Sequence, residues 1–402
     1  MTARGILYVD VSGRAGGSNS SLRAILAGLD RKRYRPTLVF GDRGHGARWD
    51  EEVYELNFAG LDNFDFFPAA WNIRWIYNFL RFIFHLPVDL FLAIVLLLRI
   101  KPAVLHVNVG QAVAFGIAGR IMGFPVVWHI RELVCRNVLG RLQDRLYAFC
   151  ADRVVAPSRA VALRLPACAT KTAVIPNSAL APSIGLEDLE RFRKQHRINA
   201  DDFVLLLLAN SVTAGKGYLF LADVADRLEA ETGIRFLLAG QIADQPARSL
   251  HRLFRRTYRT IHGGMSEKER IMERWKNHVI AGRAVFTGFV DPSLAIASCS
   301  VVVCPNQIAE PFGRSVIEAG IQSKPVIATN ISAFDELITD NESGWLLPPS
   351  VEAWASLIAT LHSDPSRLHG AGGATKLRAS QFTPERHSGE LMVLYDAVTG
   401  CE

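Results

Sequence analysis

Two periodicities alternate along this chain. Short apolar runs recur, and the stretches between them carry apolar positions at helical spacing. GILYVDVS (5–12) opens the series, rich in β-branched residues and bounded by glycine. RPTLVFG (35–41), AVLHVNVG (103–110), FPVVWHI (124–130), DRVVAPS (152–158) and TAVIPNS (172–178) continue it. Helical patterns such as QAVAFGIAGRIMG (111–123) lie between them. Near-continuous apolar strands separated by helices predict a parallel sheet covered on both faces.

The pattern then restarts. A polar helix, LEDLERFRKQHRI (186–198), precedes DFVLLLLANS (202–211). RFLLAGQ (235–241), AVFTGFV (284–290), VVVCPN (301–306) and KPVIATN (324–330) follow. Proline, glycine and serine in PNSALAPSIG (176–185) mark the join. The fold class expected is α/β, with two doubly wound Rossmann-like domains, 1–180 and 181–382, facing across a cleft. Such domains bind ligands at the carboxyl ends of their strands.

One segment departs from this rhythm, WNIRWIYNFLRFIFHLPVDLFLAIVLLLRI (71–100). Arg74, Asn78, Arg81 and His85 form a polar stripe at helical spacing, beside an apolar stripe of Trp75, Phe79 and Phe82. Pro87 is expected to interrupt the helix, and Asp89 follows it. The longest uncharged run beyond, LFLAIVLLL, falls short of the ~20 residues that cross a bilayer. The expectation is a helix lying in a membrane interface, aromatics inserted and arginines on headgroups. A core helix with an amphipathic neighbour is the competing reading.

Composition narrows the class. Of 402 residues, 49% are hydrophobic and 21% charged, which is globular and enough for two domains. No repeat period or low-complexity tract stands out. The N-terminus runs straight into a strand, so no signal peptide is expected. The six cysteines form no C-x-x-C pair or His/Cys cluster and read as reduced thiols of a cytosolic protein. Residues 1–180 hold 22 Lys and Arg against 13 Asp and Glu, whereas the remainder is slightly acidic. A basic first half fits an acidic partner such as anionic lipid or a phosphorylated substrate. No recognised nucleic-acid motif is present.

The stretch with most chemistry is EPFGRSVIEAG (310–320). Gly313 can take a backbone conformation closed to other residues, and helical spacing begins at Arg314. A helix N-terminus there would offer free N–H groups and partial positive charge to a phosphate. Glu310 would sit in the loop at a strand end and Glu318 just over one turn into the helix. Two carboxylates so placed could accept hydrogen bonds from the hydroxyls of a sugar and of a ribose.

This stretch resembles the E-(seven residues)-E motif of family 4 retaining glycosyltransferases, the glycosyl transferases group 1, which have the GT-B fold. SKPVIATN and DELITDNESGWLLPP (335–349) are similar to the tail that follows it in that family. ANSVTAGKGY (209–218), FTGFV (286–290), VIPNS (174–178), GRAGGSNSSL (13–22) and VVWHIRE (126–132) resemble further family elements, in the right order over nearly the whole chain.

The resemblance implies roles. Glu310 would bind donor sugar hydroxyls and Glu318 the nucleotide ribose. The backbone at Phe312, Gly313, Arg314 and Ser315 would approach the sugar and phosphates. Lys216 would neutralise the departing diphosphate. His129 would reach the donor sugar from the first domain, and Gly16 and Gly17 would bring the first loop close to phosphate and acceptor. Residues 383–402 would form a helix crossing back to the first domain. Domain closure would exclude water and limit donor hydrolysis.

Two departures stand out. Ser211 occupies the place of a family arginine five residues before the lysine, with Arg314 the candidate replacement. Ile331 to Phe334 stand where many members have a Gly-Gly pair. No D-x-D occurs, so Lys216 and the helix would take the place of a metal, and no cofactor beyond the nucleoside-diphosphate sugar is implied. The expected function is metal-independent transfer of a hexose-type sugar, with retention, to a hydroxyl of a membrane-proximal glycan. That acceptor would be lipid-linked or a surface polysaccharide. The enzyme would be cytoplasmic and peripheral on the inner face of the membrane, using 71–100. A GT-B sugar-nucleotide epimerase and a catalytically silent GT-B membrane scaffold are the rival readings.

Overall fold

The computed structural model describes residues 3–11, 16–41, 49–56, 73–242 and 265–400. The chain divides into two compact units, Met1–Leu180 with Phe382–Glu402, and Ala181–Gln381.

The first unit is built on parallel strands β1 (Arg4–Asp10), β2 (Tyr34–Phe40), β3 (Glu52–Glu55), β4 (Val104–Val107), β5 (Val126–His129), β6 (Arg153–Ala156) and β7 (Thr172–Val174). Their order is β3-β2-β1-β4-β5-β6-β7. The order reverses between β1 and β4, the switch point at which such sheets open a crevice. Right-handed crossovers decide which face each helix covers. Connections running toward β7 place α2 (Ile73–Ile100), α3 (Val113–Met122) and α4 (Val138–Cys150) on one face. Their inner residues share one core with the sheet, among them Ala93, Leu97, Phe115, Trp128 and Tyr147. The β1–β2 connection runs the other way, so α1 (Gly17–Gly28) covers the opposite face with the C-terminal helix. That helix, Pro384–Thr399, buries Leu391 and Tyr395 against Tyr8, Leu38 and Val127. A short α5 (Arg159–Ala162) follows β6.

The second unit repeats the plan. Strands β8 (Phe203–Ser211), β9 (Ile234–Gln241), β10 (Ala284–Gly288), β11 (Val301–Cys304), β12 (Val326–Thr329) and β13 (Trp345–Leu347) are parallel, ordered β10-β9-β8-β11-β12-β13. Its switch point lies between β8 and β11. Leu205, Leu206 and Leu207 of β8 are all buried, which is why this strand reads as a continuous apolar run and not an alternating one. The helices are α6 (Leu186–Gln195), α7 (Tyr218–Arg227), α8 (Glu267–Ile280), α9 (Pro292–Ala297), α10 (Arg314–Ile321), α11 (Phe334–Leu337), α12 (Val351–Ser363) and α13 (Ser366–Ala379). The C-terminal helix of the first unit is α14.

The segment around 71–100 differs from expectation. Residues 71–72, and the side chains of Arg74, Trp75, Asn78 and Phe79, lie outside what is described. From Ile73 the chain is one continuous helix with Pro87 inside it. Proline removes the hydrogen bond to the carbonyl four residues back. Here that carbonyl belongs to Ile83, which like Pro87 is exposed, so water can satisfy it. Buried Phe82, Asp89 and Ala93 hold the helix to the core on both sides of the break. Phe82 therefore points inward and not toward an interface. Asp89 is buried and does not end the apolar stretch, so Leu80–Ile100 is long and apolar enough to cross a membrane by length and composition.

Candidate functional site

The carboxyl edge of the second sheet carries a polar cluster. β8 ends at Ser211, and a single 3₁₀ turn, Ala214–Lys216, brings Lys216 to the switch point. Gly217 then takes φ 87°. A Cβ at Gly217 would lie 1.9 Å from the Pro305 carbonyl oxygen. No side chain fits, and this close approach locks the lysine turn against the loop after β11. Gln307 N donates to Gly215 O at 2.9 Å and secures the same junction.

That loop carries Glu310. Lys216 Nζ lies 2.5 Å from Glu310 Oε2, and Asn306 Nδ2 donates to the same oxygen at 2.9 Å. Ser332 Oγ donates to the Glu310 carbonyl at 2.8 Å. Three residues on, Gly313 at φ 95° opens α10, and its bare Cα faces the Phe334 ring, where a Cβ would sit 2.8 Å away. Val316, Ile317 and Ala319 face the core, so the opposite side of the helix carries Arg314 and Glu318. Arg314 donates to Glu318 Oε1 at 2.5 Å. Phe312 is buried, and Ser315 Oγ lies 3.4 Å from Cys304 Sγ. Two carboxylates and two cations thus pair with each other around the first turn of α10.

The first unit has its own polar cluster, also at its carboxyl edge. His129 ends β5 and is buried, with no partner for Nε2 among the described residues. Its Nδ1 lies 3.2 Å from an Arg131 guanidinium nitrogen. A guanidinium only donates, so Nδ1 accepts and the neutral ring carries its proton on Nε2. Burial, with the charge of Arg131 adding to it, holds His129 well below the ordinary imidazole range. Arg131 also donates to Asn108 O at 3.0 Å, to Asn108 Oδ1 at 2.8 Å and to Asn177 Oδ1. Asn108 Nδ2 donates to Asp10 Oδ2 at 2.6 Å, which orients the amide. Glu132 is pushed up to about 7 by burial, despite hydrogen bonds from backbone N–H groups that favour its charged form.

Gly16 is extended and precedes α1. A Cβ on Gly17 would meet nothing within 4 Å. Backbone strain requires glycine at neither position, crowding does not require it at Gly17, and residues 13–15 of that loop lie outside the described residues.

The structure therefore gathers Lys216, Glu310, Phe312, Gly313, Arg314, Ser315 and Glu318 at one edge of the second unit. His129, Gly16 and Gly17 belong to the first. Asn306 and Ser332, which fix Glu310, and Asn108, Arg131 and Glu132 were not singled out from sequence. Each follows a strand end, Asn108 at HVNVG, Arg131 and Glu132 at WHIRE, Asn306 at VCPN and Ser332 at ATNIS, and that position is the signal that marks them.

Comparison with known proteins places the chain. Residues 188–378 match the family model for glycosyl transferases group 1, and residues 16–178 match that for the glycosyl transferase 4-like domain. The chain belongs to the group 1 glycosyltransferases. Its two sheets with flanking helices are the GT-B fold of that family. A structure of Anabaena Alr3699/HepE in complex with UDP and glucose superposes with a TM-score of 0.73 at 20% identity, covering 98% of this chain and 100% of that one. Among curated glycosyltransferase relatives, the Bacillus subtilis protein EpsD is 24% identical over 210 residues, 52% of this chain and 49% of that protein. A phosphatidyl-myo-inositol mannosyltransferase of Mycobacterium tuberculosis is 30% identical over 131 residues, 30% of this chain and 34% of that protein. The match thus spans about half or less of these curated relatives.

Proposed function

We propose that this protein transfers a sugar from a nucleoside-diphosphate donor to a hydroxyl of a glycan acceptor, with retention of anomeric configuration. The observation that carries the reading is the arrangement of Lys216, Glu310, Arg314 and Glu318 around the first turn of α10. Donor binding would exchange partners. The diphosphate would take Lys216, Arg314 and the positive N-terminal end of α10, and the released carboxylates would turn to hydroxyls, Glu310 to the sugar and Glu318 to the ribose. As the bond from sugar to phosphate breaks, charge grows on the leaving oxygen, and Lys216 and the helix N-terminus stabilise it without moving far. Attack from the same face, with the leaving phosphate helping to take the acceptor proton, would retain configuration. His129 and the Arg131 cluster would serve the sugar and acceptor side. Lys216 and α10 would supply the positive charge that a metal supplies elsewhere.

The acceptor we favour is membrane-proximal, lipid-linked or part of a surface polysaccharide, and the enzyme would work at the cytoplasmic face. The basic first half of the chain and the exposed apolar side of α2 support this.

The test is a thermal-shift panel of UDP-, GDP-, ADP- and CMP-linked sugars on the wild type and Glu318→Ala. A donor at about 100 times its dissociation constant stabilises by about 2.7 kcal/mol. One nucleotide class should shift the wild type and lose its effect in the variant. A folded sample that responds to no donor would point instead to a silent scaffold. The anomeric configuration of the first product, read by proton NMR, tests retention.

A further inference from the structure

We infer that α2, α3 and α4 together form a docking surface for an anionic phospholipid bilayer, with α2 lying in the plane of the interface. The proposal concerns a face separate from the donor site and stands or falls independently of it.

The three helices form one layer on one face of the first sheet, packed side by side over a single core. The outer side of α2 is apolar along its described length. Phe84, Val88, Phe91, Val95 and Leu98 are exposed, Phe84 at 77% and Phe91 at 64%. Their spacing of four and three residues puts them on one stripe. The stripe does not stand alone. Ile121 is exposed on α3, and Val138, Leu142 and Phe149 are exposed on α4. Arg120 of α3 lies over the Phe149 ring at 5.7 Å, joining the outer sides of those two helices.

Charge selects the occupant. Arg99, Arg120, Arg141 and Arg145 are exposed on these helices, and exposed Arg136 leads into α4. The acids of the three helices are Asp89 and Asp144, and both are buried. The layer therefore presents apolar side chains and positive charge, with no acidic side chain exposed on it. A second copy of the chain would bring arginines against arginines, whereas an anionic lipid surface satisfies both features at once. Orientation follows from the inner side. Phe82, Asp89, Ala93, Leu96 and Leu97 are buried in the sheet core. A crossing orientation would tear them out, whereas an in-plane orientation leaves them in place.

The experiment is co-sedimentation of the full chain with phosphatidylcholine vesicles, with and without phosphatidylglycerol, across a salt series. The wild type should bind the anionic vesicles far more tightly, and salt should release it. Arg141→Gln with Arg145→Gln should weaken that binding about thirtyfold. Phe84→Ser with Phe91→Ser should weaken it at every salt concentration, while the melting temperature and any donor-induced shift stay at wild-type values. Equal binding to neutral and anionic vesicles would overturn the proposal, as would none to either. A Phe84- and Phe91-dependent dimer in sedimentation equilibrium, without vesicle binding, would assign the face to a second copy instead.

Discussion

Lys216 Nζ and Glu310 Oε2 are 2.5 Å apart, although 94 residues separate them in sequence. The pair is partly exposed, with the lysine side chain at 36% and the glutamate at 18%. A partly exposed ion pair adds at most about 1 kcal/mol to stability. Its value to a transferase lies in what it can release. Lys216→Met should therefore leave the melting temperature almost unchanged and lower kcat by about 10²- to 10³-fold, the usual cost of losing one preorganised donor to a developing charge. Steady-state kinetics beside a thermal melt separates the two effects. A large drop in melting temperature would mean the pair is structural.

Gly217 makes the opposite prediction. Its φ of 87° and the 1.9 Å approach of a notional Cβ to Pro305 O leave no strain-free way to add a side chain. Gly217→Ala should destabilise the second unit by about 2–4 kcal/mol, roughly 5–10 °C in its melting temperature. Gly282 has φ 71° with nothing within 4 Å. Gly282→Ala should show the backbone strain alone, near 1 kcal/mol. Calorimetry on both variants distinguishes the clash from the strain.

Much of this was legible in the chain. The apolar runs placed eleven of the strands because both sheets are covered on both faces, so each strand writes its burial into consecutive residues. Two strands escaped. β3, Glu52–Glu55, lies against β2 at the edge of the sheet, and its sequence EVYE sets just two half-buried side chains between exposed glutamates. β13 is three residues long. Pro87 misled because its penalty is local, while the burial that outweighs it comes from α3 and the sheet. The E-(seven)-E spacing was visible, and Arg314–Glu318 is an i,i+4 pair that helical spacing allows, but the Lys216–Glu310 pair was not visible. That this lysine meets this acid depends on strand order and on the Gly217–Pro305 approach, and no local pattern records either. The same holds for Arg131, whose partners Asn108 and Asn177 lie 23 and 46 residues away.

Arg314 and Glu318 form an i,i+4 pair whose side chains are each 19% exposed. If both serve the donor, Arg314→Ala and Glu318→Ala should each weaken nucleoside-diphosphate binding about tenfold, close to 1.4 kcal/mol. The double variant should weaken it by less than the product, because each single change also leaves its partner without its mate. A coupling of about 0.5–3 kcal/mol is the range for residues in contact. Isothermal titration with each nucleoside diphosphate supplies the four affinities. Strict additivity would separate the two residues and return the phosphate role to some group other than Arg314.

The buried histidines of the first unit set its response to acid. His106, His129 and His387 are held below the ordinary imidazole value, chiefly by burial, with the charge of Arg131 adding in the same direction, and His387 falls to about 3. Unfolding restores them to about 6.5. Below that pH the unfolded chain binds protons that the native unit does not, so stability falls as pH drops, by about 1.4 kcal/mol per pH unit for each histidine. Glu132 works in the other direction. Its carboxyl is raised from 4.5 to about 7, so the native unit holds a proton that the unfolded chain has lost, and stability falls as pH rises through that window. Between pH 4.5 and 6.5 three histidines oppose one carboxyl, and the net slope is positive. His387→Gln keeps an acceptor near the Ser178 N–H, which donates to the native ring at 3.2 Å, and removes one titrating group. It should flatten the acid limb by about 1.4 kcal/mol per pH unit, whereas Glu132→Gln should steepen the same limb and remove the loss on the approach to neutrality. Urea unfolding of the full chain at several pH values, following the transition of the first unit, measures both slopes. An acid limb unchanged by His387→Gln would mean that the ring is already protonated in the native unit.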